Sequence, residues 1–78
     1  MIVNMYSVRD NLTGYGYPFV QPNDEAALRN FRFLLTRESG SEFSVKPDDY
    51  SLFRVARFDT DTGAFCDFDL FAIARKDC

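Results

Sequence analysis

The stretch DDYSLFRVARFDTDTGAFCDFDLF, residues 48–71, decides the fold. It reads as two strands joined by the turn Asp59-Thr60-Asp61-Thr62-Gly63, a hairpin over residues 50–73. Tyr50, Leu52, Phe53, Val55, Ala56 and Phe58 lie before the turn, and Ala64, Phe65, Cys66, Phe68, Leu70 and Phe71 after it. Aromatic and β-branched side chains at this density fit a pleated, half-buried surface. An acidic turn ending in glycine is a hairpin signal. Asp67 and Asp69 share one face of the second strand. Arg54 and Arg57 fall on opposite faces of a regular strand, a count that a bulge would alter.

Upstream, Asn23 is a good N-cap, followed by Asp24 and Glu25 in a first turn where carboxylates meet the positive helix end. Ala27, Leu28, Phe31, Leu34 and Leu35 recur at helical spacing, predicting a helix over 24–37 stopped by Ser39-Gly40. Arg29, Arg32 and Arg37 fall mostly off that stripe, and Phe33 is an exposed outlier. Ile2 to Val8 is a strand candidate with a weak period of two. Between strand and helix, the loop 12–22 carries the punctuation residues Gly14, Gly16, Pro18 and Pro22. It also carries Tyr15, Tyr17, Phe19 and Val20, which a solvated linker would lack. Ser39 to Lys46 is a polar connector in which Phe43 and Val45 can pair briefly with a sheet edge. Arg75-Lys76-Asp77-Cys78 reads as a frayed end. The expected fold is a single small α+β domain over 1–78: a small antiparallel sheet of three or so strands with one helix packed on a face.

The chain of 78 residues has nine Phe, four Tyr and no Trp. So short a domain removes only about 60% of its unfolded surface from water, and buried aromatics then dominate its core. Self-association is the other usual remedy for a thin core. The formal net charge is −3, against the basic excess of a non-specific nucleic-acid binder. The acids concentrate in the second half. Residues 1–46 carry five basic and five acidic side chains, and residues 47–78 four and seven. A local basic face therefore remains open in the first half.

Histidine is absent. With it go the commonest general acid–base residue and the commonest zinc ligand, and two cysteines cannot complete a structural metal site. No enzyme, cofactor or metal is expected. The turn 59–63 resembles the opening of a calcium loop, but such a loop needs a bidentate Glu at its twelfth position, and that position is Leu70. Asp and Thr side chains bonding nearby amides, with Gly63 at positive φ, account for the turn. Gly14-Tyr15-Gly16 lacks the spacing of a phosphate loop. Cys66 and Cys78 make no disulfide framework, and no signal peptide or long apolar run is read. The expectation is a soluble chain in a reducing cytoplasm.

Four stretches, taken in order, resemble the small nonstructural protein of gokushovirus-type Microviridae, tailless phages with circular single-stranded DNA. Tyr6-Ser7-Val8-Arg9-Asp10 is similar to the family's opening strand, and Tyr15-Gly16-Tyr17-Pro18-Phe19-Val20-Gln21-Pro22 to its loop before the helix. Ala27-Leu28-Arg29-Asn30-Phe31 is similar to its helix. Asp49 to Asp59 with Thr62-Gly63 is similar to its hairpin, and Phe65 to Ala74 departs by being more aromatic. The resemblance implies a nonstructural, DNA-associated protein in the cytoplasm of an infected bacterium, linked to viral DNA replication or packaging. Carried residue by residue, it points to Arg9, Arg29 and the Tyr15-to-Phe19 loop. The expectation is that single-stranded DNA is the partner, with Tyr15, Tyr17 and Phe19 stacking bases while Arg9, Arg29 and Arg32 meet phosphates. The alternative is a homo-oligomeric interaction module that contacts phage or host replication proteins without touching DNA. No membrane or small-molecule substrate is indicated.

Overall fold

The computed structural model describes residues 1–74, so the end 75–78 lies outside the described residues. The two halves of the deciding stretch do pair, but within a larger sheet than expected. Six antiparallel strands form one sheet: β1 (Ile2–Asp10), β2 (Gly14–Tyr15), β3 (Phe19–Gln21), β4 (Tyr50–Asp59), β5 (Ala64–Asp67) and β6 (Phe71–Ala74). Among the described residues one α-helix, α1 (Asp24–Leu34), accompanies it. The expected α+β domain with three or so strands is thereby corrected: the molecule is mostly sheet. The long strands β1 and β4 pair at the centre. β2 and β3 share the outer edge of β1, and β5 and β6 share the outer edge of β4.

The extra strands come from two places. The loop 12–22 supplies β2 and β3, because Gly14, at φ 117°, lets the chain reverse without the cost an L side chain meets there. The second half of the expected hairpin splits into β5 and β6. The side chain of Asp67 accepts the Asp69 amide at 2.9 Å, a local turn that takes the backbone away from the ladder. Asp69 therefore lies outside either strand. The 59–63 turn forms as expected: Asp59 Oδ1 accepts the Asp61 amide at 2.8 Å, the Gly63 amide donates to the Asp59 carbonyl at 2.8 Å, and Gly63 has φ 76°.

Asn23 caps α1 by accepting the Ala26 amide at 2.8 Å. The helix stops at Leu34, short of the expected Arg37, where the Thr36 hydroxyl donates to the Phe33 carbonyl at 2.7 Å. Short 3₁₀ turns follow at Arg37–Ser39, Glu42–Ser44 and Pro47–Asp49. Phe43 therefore joins no sheet edge; it packs edge-on against Tyr50 at 4.8 Å between ring centres. The core lies between α1 and one sheet face, and comprises Tyr6, Val8, Ala27, Phe31 and Leu52. Phe33 points away and is 53% exposed.

Candidate nucleic-acid interface

Strand register assigns each side chain of the sheet to the face that carries α1 or to the face that does not. Tyr6 and Val8 belong to the core under α1, so the even positions of β1 face the helix and the odd positions face away. In β4, Ala56 pairs with Met5 and Arg54 with Tyr6, which leaves Val55 as an extra, bulged residue. That insertion re-aims the strand. Arg54 lies opposite Tyr6 and Arg57 opposite Asn4, so both arginines occupy the helix-bearing side. A second irregularity at Cys66 puts Asp67 beside Arg57 on that side. Asp10 and Asp59, the latter paired with Ile2, lie there too.

The helix-free face holds a different set. Arg9 pairs with Tyr15 on one side and Ser51 on the other. Its guanidinium lies 5.6 Å from the centre of the Tyr15 ring, within range of a cation–π contact. Tyr15 in turn meets Phe53 edge-on at 5.5 Å. Toward the other end of the sheet, Phe58 pairs with Val3 and with Phe65. Phe58 and Phe65 are 5.1 Å apart, and Phe65 and Phe68 5.4 Å. Tyr15, Phe65 and Phe68 are exposed. Among the described strand residues, this face carries one cation, Arg9, and no carboxylate, because register sends Asp10, Asp59 and Asp67 to the other side.

The six residues expected to contact DNA are divided by the sheet. Arg9 and Tyr15 are brought together on the helix-free face. Phe19 lies opposite Tyr6, 6.1 Å from its ring, and packs against the core. Tyr17 is 97% exposed between β2 and β3. Arg29 and Arg32 are exposed on α1, across the sheet. Sequence reading missed Phe53, Phe58 and Phe65 as companions of Arg9. Counting alternate positions along residues 50–58 finds them only once the Val55 bulge is included.

On the helix-bearing side the first helical residue anchors the sheet. Tyr6 donates its hydroxyl to Asp24 at 2.5 Å, and Arg54 Nη1 approaches the two Asp24 oxygens at 3.1 and 2.8 Å. Asn4 donates to the Tyr6 hydroxyl at 2.9 Å, and Arg54 lies over the Phe71 ring at 4.9 Å. Burial, reinforced by the Asp24 carboxylate, pushes the Tyr6 phenol up to about 12. Burial alone would raise Asp24, but the donors Tyr6 and Arg54 and the nearby arginine charges more than offset it and hold its carboxyl below the ordinary value. Arg54 is thereby committed to the fold on the side away from the aromatic face.

The sheet and its face define a class: a small antiparallel sheet protein that, among the described residues, has one α-helix, packed on one face, and exposed aromatic rings on the other. A family model described as Phage ORF5 protein matches residues 3–69, and the chain belongs to that family of phage proteins. No curated protein and no solved structure matches it. No helix among the described residues is long and apolar enough to cross a membrane.

Proposed function

We propose that the chain binds single-stranded DNA on the helix-free face, as a nonstructural protein of a gokushovirus-type microvirus engaged in replication or packaging of the viral strand. The carrying observation is the segregation of charge: the aromatic face is free of strand carboxylates although the chain as a whole is acidic. A sheet presenting ring faces is a general solution for unstacked bases, because every base has a π-face. Tyr15, Phe53 and Phe65 supply rings, and Arg9 meets a phosphate. Arg29 and Arg32 take no part. The protein acts without catalysis, metal or cofactor, in the cytoplasm of the infected cell.

The test is a titration of labelled oligothymidylate by fluorescence anisotropy at two salt concentrations. With one cation on the face, the dependence of log K on log salt is expected to be shallow, about −0.7 for each phosphate neutralised. Tyr15→Ala and Phe65→Ala should each weaken binding by about 1–3 kcal/mol, and Arg9→Ala should flatten the salt dependence. Arg29→Ala with Arg32→Ala should leave both quantities unchanged. Absence of binding at low salt, or loss confined to the helix arginines, refutes this reading.

The same scarcity of charge supports a second reading, in which two copies bury this face against each other. Sedimentation across a range of concentrations separates the two. A Phe65→Ala variant that turns a dimer into a monomer without altering any DNA affinity favours the second.

A further inference from the structure

The helix-bearing side contains a groove of about 520 Å³ between the β2–β3 segment, the second half of α1 and the 3₁₀ turn Glu42–Ser44. This is the size of pockets that enclose a drug-sized ligand. Its apolar walls include Phe19, Phe43 and Tyr50, and Tyr17 stands at its rim. The two charged residues that line it, Asp10 and Glu42, are both acidic, and no Lys or Arg lines it. Glu42 is exposed and makes no ion pair with a described residue, so its charge is available to a ligand. Tyr50 records the same field: burial raises its phenol above the ordinary value, and Asp10, Glu42 and Asp49 raise it further with no opposing cation.

From this complementarity we infer that the groove receives an arginine-bearing segment of a basic protein partner. A guanidinium is planar, stacks on aromatic faces, and donates in a fork that suits a carboxylate. Here the rings of Phe43 and Tyr50 form one wall, with the Asp10 and Glu42 carboxylates available to the donors. A small anion is disfavoured by the same charges, and a wholly apolar segment would leave both carboxylates near its path without partners. The groove carboxylates lie across the sheet from the DNA face, and Tyr15 alone of that face's rings also lines the groove. One acidic chain thereby offers separate places to a nucleic acid and to a basic protein.

The probe is a labelled nona-arginine peptide, with a Gly-Ser peptide of the same length as control, titrated into the full chain. Glu42→Gln combined with Asp10→Asn is expected to weaken nona-arginine binding at least tenfold; the Asn oxygen can still accept the Leu12 amide that Asp10 holds at 2.9 Å. Glu25→Gln combined with Glu38→Gln removes the same charge from exposed positions that do not line the groove and should change binding less than twofold. Glu42→Gln alone alters an exposed side chain and keeps the test valid if the double variant misfolds; a loss of threefold or more is expected from it. Equal losses in the two double variants would show diffuse attraction to an acidic surface and overturn the inference. So would equal binding of the Gly-Ser peptide, or no binding of nona-arginine. Oligothymidylate affinity measured on the groove variants is expected to stay at the wild-type level, so this result stands apart from that of the DNA titration.

Discussion

Leu52→Ala is expected to lower the melting temperature by more than 10 °C. Leu52 is fully buried, in a cluster with Tyr6, Val8, Ala27 and Phe31, and pairs with Val8 on one side and Ala74 on the other. Truncating such a side chain costs about 2–5 kcal/mol, because the lost transfer energy is joined by a cavity that neighbours fill only in part. A chain this short has total stability on the order of 4–12 kcal/mol. In urea the midpoint should fall by about 1–3 M, with little change in slope. Leu70→Ala is the control: Leu70 is 55% exposed between β5 and β6, and its loss should stay within about 0.5 kcal/mol. Similar effects for the two leucines would refute the placement of the core.

A second large effect is expected toward both ends of the pH scale, through the Tyr6–Asp24–Arg54 network. The Tyr6 phenol is raised to about 12 in the folded chain, against about 10 when unfolded. The folded state therefore favours the protonated phenol. The stability linked to it is fully present below pH 10 and is lost as pH rises toward 12, a change on the order of 2–3 kcal/mol. Asp24 has the opposite sign. Its folded pKa is depressed, so its contribution is present above the ordinary carboxylate range and is lost as pH falls through the lowered value. Urea unfolding as a function of pH reads both limbs. Tyr6→Phe should remove the larger part of the alkaline limb, leaving the share of the raised Tyr50 phenol, and cost about 1–3 kcal/mol at neutral pH, since Asp24 loses a charge-assisted donor. If Tyr6→Phe leaves the latest-titrating phenol in the ultraviolet titration unchanged, the assignment fails.

What the amino-acid order made legible was local chemistry. Asn23 as cap, the 27/28/31 stripe and the Asp-Thr-Asp-Thr-Gly turn each depend on residues within a few positions, and each appears in the structure. Three features escaped, the short strands and the bulge because they depend on partners far along the chain, and the helix end because local hydroxyls compete with its ladder. β2 and β3 are two and three residues long, too short for any period to register, and exist because β1 offers them an edge. The helix end yielded to hydroxyls at Thr36 and Ser39 that compete for its last carbonyls. The bulge at Val55 leaves no mark in the sequence, since nothing in Arg-Val-Ala-Arg distinguishes the extra residue. On that one residue depends the side taken by Arg57 and Asp59, and the irregularity at Cys66 adds Asp67 to them. The candidate site was accordingly half visible, with Arg9 and Tyr15 named and Phe53, Phe58 and Phe65 passed over.

The way the outer strands are divided bears on how copies of this protein can meet in a crowded cell. An aromatic-rich sheet with one long open edge would template the addition of strands from neighbouring molecules and grow into fibrils. Here neither border offers such a run. Among the described residues, one is built of β2 and β3, interrupted at Gly16–Pro18, and the other of β5 and β6, interrupted at Phe68–Leu70, and no border strand exceeds four of those residues. Proline at position 18 also lacks the amide hydrogen that an incoming strand would need. Association through hydrogen-bonded extension is thus blunted along the described length of both borders, which leaves the broad surfaces of the sheet for any pairing of copies.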